Sequence, residues 1–172
     1  MSATPAPRPS ADSGAEAVLT VHVLALPVGL QRRAQQHNEG LTRELVLIAE
    51  QMRQQGHEGT LPLRLVALVE QLDHQYGGLT DAQEQQLEAA YKSGAQTVDL
   101  TYRVPGSAAA AAGALGQILD EADDFCREGR HLLTMATPPE LVAYRGWFLS
   151  QFVDQAAGHQ PVPWSEWASA TS

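Results

Sequence analysis

The residues of this chain that could do chemistry fall into a few groups. His37 lies on the apolar stripe of a long helical pattern, where an imidazole reads as a proton acceptor or a ligand, with Glu44 two turns on. The plainer reading is a half-buried histidine satisfied by a backbone carbonyl or a carboxylate, because a neutral imidazole needs only two partners. The HExxH spacing of a zinc helix is missing, since His37-Asn38-Glu39 has no second histidine one turn later. Leu119 to Cys126 gathers Asp120, Glu121, Asp123 and Asp124 with a thiol inside two turns. Asp120 and Asp124 share a helix face and His131 lies just beyond, and hard cations want several oxygen ligands. The central glycine and final Glu of an EF-hand loop are missing, however, and carboxylates flanking an apolar stripe are what a solvated helix face looks like. A protein-binding surface is the second reading of this run, and no metal is expected.

His22 projects from a first strand, and Asp99 or Arg103 from a second would oppose it if the two pair. His22, His37, Asp99 and Tyr102 outline a pocket between a sheet and the first long helix, the place for a small-molecule or metal sensor or an enzyme site. A cross-strand surface pair is the plainer reading. Cys126 has acid upstream, which opposes the thiolate that a nucleophile needs. The chain has no GxSxG elbow, no GxGxxG and no P-loop. Gly113 and Gly116 inside a helix mark close helix packing more readily than a phosphate cradle. No cofactor is expected and the chain is read as a non-enzyme.

Aromatic residues crowd late in the chain, where Tyr144, Trp147, Phe148, Phe152, Trp164 and Trp167 follow one another although aromatics make up only 6% of the whole. Either they close the core where the tail folds back, or some form an exposed anchor set, since Trp, Tyr and Arg dominate binding hot spots. Arg145-Gly146-Trp147, expected on the outer side of the last helix, is the place for such anchors. Asp120, Asp123, Asp124, Arg145, Trp147 and Trp164 are therefore the candidate partner-binding residues.

Those side chains must be positioned by a small set of elements. Val18 to Leu26 (VLTVHVLAL) reads as a short buried strand closed by Pro27. Leu30, Ala34, His37, Leu41, Leu45, Ile48 and Met52 then recur at spacings of three and four, as on one face of a helix. After a break at 56–60, a second helix turns Leu65, Leu68, Leu72 and Tyr76 inward and stops at Gly77-Gly78. A third starts at Thr80 with Gln83 placed to close a capping box, and carries Leu87, Ala90 and Tyr91 on its apolar side. Thr97 to Val104 (TVDLTYRV) alternates as a strand with one wet face. Ser107 opens a helix to Arg127 with Ala111, Leu115, Ile118, Leu119, Ala122 and Phe125 as its stripe. Thr137-Pro138-Pro139-Glu140 opens the last, with Leu141, Tyr144, Phe148 and Phe152 inward. The expected fold is α+β and predominantly helical, five helices packed with a two-stranded sheet in the order β-α-α-α-β-α-α. A single globular domain is expected over 17–167, between a disordered lead, 1–16, and a disordered end, 168–172.

Composition bounds the partners. The 172 residues are 44% hydrophobic and 18% charged, as in a globular domain with its own core. The formal net charge of −9 repels phosphate backbones, which argues against nucleic acid. Residues 1–16 have neither the basic start nor the apolar stretch of a secretory signal, and nothing reaches the ~18 consecutive apolar residues of a membrane span. The single cysteine fits a reducing compartment. A soluble, cytoplasmic protein is expected.

Five segments taken together, Val21 to Val28, Gln36-His37-Asn38-Glu39 to Leu45, Val98 to Tyr102, Leu119 to Asp123 and Thr137 to Glu140, resemble an uncharacterised family of small acidic proteins of high-GC Gram-positive bacteria. Its members are often encoded beside STAS-domain anti-anti-sigma factors and anti-sigma serine kinases. The resemblance covers nearly the whole chain after the lead and rests on pattern, not on a catalytic motif. It implies an accessory in partner-switching signalling, whose partner would be an anti-sigma kinase or a STAS-domain protein. The leading expectation is thus a regulatory protein that binds another protein and occludes it. A sensor or enzyme at the sheet–helix pocket, and a homodimer of structural role, stay open beside it.

Overall fold

The computed structural model describes residues 17–56, 60–127 and 137–171, with the side chains of residues 125 and 126 excepted. The chain runs β1 (Val18–Pro27), α1 (Val28–Gln54), α2 (Leu61–Tyr76), α3 (Asp81–Lys92), β2 (Thr97–Pro105), α4 (Ala108–Arg127), α5 (Pro139–Ala156) and α6 (Trp164–Thr171). The predominantly helical α+β architecture is as expected, with one helix more among the described residues. That helix, α6, grows from the tail behind Pro161 and takes up residues 168–171, which were expected to lack structure. The lead 1–16 and His131 lie outside the described residues, as do the side chains of Phe125 and Cys126.

β1 and β2 pair antiparallel, from Val18 opposite Pro105 to Pro27 opposite Thr97. Alternation sends Val21, Val23, Leu100, Tyr102 and Val104 to one buried face, and Thr20, His22, Asp99, Thr101 and Arg103 to an exposed one. The register shifts between Val23 and Leu26, so that Leu24 and Ala25 share a single opposite residue, Asp99. This bulge lets Leu26, and not Ala25, continue the buried row. It places Ala25 at φ 51, a left-handed conformation that costs a residue with a Cβ about 1–2 kcal/mol. The Asp99 carboxylate offsets part of that by accepting the Ala25 N–H at 2.6 Å.

A two-stranded sheet is marginal alone. Here its buried face closes on Leu141, Tyr144, Trp147 and Phe152 of α5, with Ala108 and Ala112 of α4 and Leu30 of α1, as one core cluster. A second, separate cluster joins Leu41, Leu45 and Ala49 of α1 to Leu65 and Val66 of α2 and Ile118 and Ala122 of α4. At 27 residues, α1 is about 40 Å long and contributes to both.

One face of α5 ties the tail and the sheet to the helices. Trp147 donates its indole N–H to the Val162 carbonyl at 2.8 Å, and Gln151 Oε1 accepts the Val162 N–H at 3.1 Å. One turn further, Gln155 accepts the His22 N–H at 2.9 Å and donates to the His22 carbonyl at 2.8 Å. On the opposite edge of the sheet, Gln83 of α3 donates to the carbonyl of Thr101, the residue paired with His22. Gln83 therefore serves the sheet and closes no capping box, and the Thr80 hydroxyl goes to Glu84 instead.

Candidate functional site

The residues singled out from the sequence are redistributed by the fold. His22 and Asp99 stand on the exposed face of the sheet and Tyr102 on the buried one, as strict alternation requires, so no pocket collects them. The His22 ring meets the hydroxyl of its cross-strand neighbour Thr101 at 3.2 Å. His37 is on another flank, its Nε2 at 3.0 Å from the Thr137 hydroxyl. Burial pushes the Tyr102 hydroxyl up to about 12, with the Glu84 carboxylate adding to the shift. Tyr144 is pushed up as well, by burial first and then by Tyr102, and its hydroxyl donates to Gln31 Oε1 on α1.

Trp147, expected on the outer side of α5, is fully buried. The stripe on this helix is wider than one row because α6 covers its flank, where Trp164 packs against Tyr144, Trp147 and Trp167 at ring distances of 5.6–5.8 Å. Trp164 is partly buried in that cluster. Asp123 is also inside, 2% exposed, where an acidic surface was expected. Arg145, its side chain 12% exposed, reaches Asp123 at 2.8 Å and Asp120 at 2.5 Å. The other oxygen of Asp123 accepts the Thr137 N–H at 3.3 Å. His37, Thr137, Asp123, Arg145 and Asp120 thus form one chain of polar contacts that ties α1, α4 and α5 at the start of α5. Thr137 spends its groups in this network and Glu140 pairs with Arg33 at 2.6 Å, so the expected capping box does not form and Pro138 takes the N-cap position. Asp120 and Asp124 both stay at the surface, Asp120 reaching in only to Arg145 and Asp124 pairing with Arg127 one turn on. Among the described residues no group of three or more His, Cys, Asp or Glu is placed to hold a metal ion.

Among the described residues α1 borders two of the grooves on the helical surface. One, of about 880 Å³, lies between α1 and α3. Its two cations are both committed: Arg32 sits 3.7 Å over the Tyr91 ring and 3.7 Å from Glu88, which also holds Lys92 at 3.3 Å, and Asp81 and Glu84 add further acid. Tyr91, expected inward, is exposed beneath that guanidinium.

The second groove, of about 790 Å³, lies between α1 on one side and α4 with α5 on the other. Its two walls do not match. From α1 come Gln31, Gln35, Asn38, Glu39, Thr42 and Arg43, a polar stripe relieved only by Ala34. The facing wall is Leu115 and Leu119 of α4 with Phe148 and Leu149 of α5, each only partly buried. Leu115 and Leu119 belong to the fringe of the distal cluster, Phe148 and Leu149 to that of the sheet cluster, so the groove runs over the seam between the two. A Cβ at Gly116 would meet Leu149 at 3.5 Å, an ordinary packing contact, so the junction does not depend on glycine there. Arg145 stands at the groove with its charge committed to Asp120 and Asp123. Arg43 stands there with its Nε on the Glu39 carbonyl at 3.3 Å, and among the described residues it joins no ion pair.

None of the apolar wall was singled out from the sequence as a site, because Leu115, Leu119 and Phe148 read as ordinary core stripe. Val46 and Leu47 of α1, 47% and 71% exposed, stand outside the groove's lining and gave no signal for it.

No family model, no curated protein and no solved structure matches this chain. No helix among the described residues is long and apolar enough to cross a membrane.

Proposed function

We propose that this chain is a non-catalytic, cytoplasmic regulatory module that holds another protein in the groove between α1 and the α4–α5 pair, and acts by occluding it. The observation that carries the reading is the apolar wall of Leu115, Leu119, Phe148 and Leu149, which among the described residues faces a polar stripe of α1 with Ala34 as its only apolar member. Apolar patches bounded by polar residues are where soluble proteins meet partners. The buried state of Asp123, Trp147 and much of Arg145 moves the proposed surface away from those residues and onto the groove they brace. The resemblance to proteins encoded beside anti-sigma kinases and STAS-domain proteins supports a partner-switching accessory with one of those as partner.

A second reading rests on the 3.0 Å contact between the His37 ring and the Thr137 hydroxyl, since an imidazole on a hydroxyl is the beginning of a nucleophile site. Thr137→Val would then remove an activity, whereas in a binding module it would only loosen the start of α5.

The proposal is tested by capture with the tagged chain from its own lysate, comparing wild type with Leu119→Arg. A near-stoichiometric partner that disappears with the variant, while circular dichroism and thermal unfolding stay close to wild type, is the expected result. Undiminished capture by a folded Leu119→Arg protein removes the groove from consideration.

A further inference from the structure

We infer that the occupant of the α1–α4/α5 groove is an amphipathic helix of a partner protein, bearing a carboxylate that meets Arg43. The inference rests on the groove being the binding site, and it adds the chemistry of what binds. Three features of the groove lead to it.

The walls dictate an occupant with two faces. A segment seated between them must turn apolar side chains to Leu115, Leu119, Phe148 and Leu149, and polar ones to Gln35, Asn38, Glu39 and Thr42, the Gln31 amide oxygen being taken by the Tyr144 hydroxyl. Hydrogen bonding then selects its conformation. Both walls are α-helices whose backbone groups are bonded internally, so an extended peptide would find no backbone partners and would bury unsatisfied N–H and C=O groups. A helix arrives with its own backbone satisfied, and the α1 stripe from Gln31 to Arg43 is about 18 Å long, room for roughly three helical turns. Finally, charge sets the register. Arg43 is exposed at the rim and its guanidinium has no carboxylate among the described residues, whereas Arg32, Arg33, Arg53, Arg64, Arg127, Arg145 and Lys92 are all paired, and Arg103, which also joins no described ion pair, stands on the exposed face of the sheet and does not line the groove. A guanidinium beside an apolar wall is a receptor for a carboxylate. The net charge of −9 on the whole chain favours a partner helix whose remaining polar face is neutral or basic.

The chain's own lead does not fit this description. Residues 1–16 contain no Leu, Ile, Val, Phe, Tyr or Trp with which to cover the apolar wall.

The test uses the full chain and a displayed library of helical 16-residue peptides. Panning on wild type is expected to enrich peptides with apolar residues at i, i+3 or i+4, and i+7, and with Asp or Glu at one constant position. Arg43→Glu should weaken the enriched peptides about tenfold, and replacing their acidic residue with Lys should restore binding to that variant. Enrichment without helical spacing, no enrichment at all, or indifference to Arg43→Glu overturns the inference. So does a self-association, seen by sedimentation and lost in Leu119→Arg, which would make a second copy the occupant. Binding of dodecanoate that depends on Arg43, where the peptides fail, would point to a small amphiphile and likewise overturn it. The two levels separate cleanly. If folded Leu119→Arg and Leu149→Gln proteins still bind the selected peptides, the groove itself is wrong. If they lose the peptides while Arg43→Glu keeps them, only the carboxylate is wrong.

Discussion

The two halves of the core are built by different means. At the sheet end, aromatic rings and directional polar contacts hold the parts: Tyr102 packs on Phe148 and Phe152, Trp164 on Trp147, and Trp147, Gln151 and Gln155 each bind backbone groups across the fold. In the distal cluster Leu41, Leu45, Ala49, Leu65, Val66, Ile118 and Ala122 meet with no aromatic among the described side chains. Aliphatic burial is non-directional and scales with area, so such a cluster tolerates small shifts of one helix on another. Rings and buried amides fix orientation as well as distance. The difference assigns rigidity to one end of the molecule and adjustability to the other, with the groove along their boundary.

The comparison can be broken most forcefully at Trp147. Trp147→Ala removes a fully buried ring and leaves the Val162 carbonyl without its donor, and should cost about 4–5 kcal/mol and release the tail. Chemical denaturation would read the loss, with hydrogen exchange at Val162 reporting the tail. Leu65→Ala, at the same depth in the distal cluster, should cost about 3 kcal/mol and leave exchange at Val21 and Val23 slow. If both variants loosen both ends equally, the halves are one cooperative unit and the contrast is only one of composition.

The link between the halves is the next target. Asp123→Asn leaves Arg145 with Asp120 alone, and the expected cost is about 2 kcal/mol, below the 3–5 typical of a broken buried pair because Arg145 keeps one carboxylate. Asp120, its side chain 69% exposed, should contribute well under 1 kcal/mol when changed to Asn. Equal effects in urea unfolding would mean that burial of Asp123 does not set its importance.

Alkaline titration sharpens the contrast without a mutation. Tyr102 is held up to about 12 in the folded chain, against 10 when unfolded, and Tyr144 is raised too. A raised pKa contributes stability that is whole below pH 10 and is lost as pH climbs toward 12, by about 1.4 kcal/mol per pH unit for each tyrosine. Both rings belong to the sheet end, so exchange at Val21 and Leu100 should quicken above pH 10 before that at Leu45 and Leu65. Tyr102→Phe should flatten the slope by one proton. The smallest effect expected is Ala25→Gly, which relieves the left-handed φ at the bulge and should stabilise by about 0.5 kcal/mol after the added freedom of the unfolded chain is set against it. A destabilised glycine variant would show that the Ala25 methyl matters more than its backbone.

Much of the fold was legible in the residues. Period-two alternation located β2, and the same alternation already placed Asp99 and Tyr102 on opposite faces, which is why the pocket drawn through both does not exist. Helical spacing located α1 to α5. What escaped reading depends on contacts distant in sequence. Trp147 and Phe148 fit neighbouring faces of the same helix equally well, and only the return of the tail decides that Trp147 is buried while Phe148 is left partly exposed. Gln83, Gln151 and Gln155 look like solvated helix positions, because an amide that binds a strand or a tail 11 to 133 residues away carries no local mark. The candidate groove was invisible for a related reason: its wall residues look like core, and that they lack a partner emerges only when α1 presents its polar side to them.

The glutamines at the two sheet edges have a consequence beyond holding elements together. An isolated pair of strands offers two lines of unsatisfied backbone to any neighbouring chain, the usual seed of strand-to-strand aggregation. Here one rung, His22 with Thr101, is occupied from both sides by uncharged amides that mimic the next strand without being one. Salt does not screen such a plug and proton concentration does not titrate it, so the sheet should resist growing in crowded or acidified surroundings where charged gatekeepers would fail.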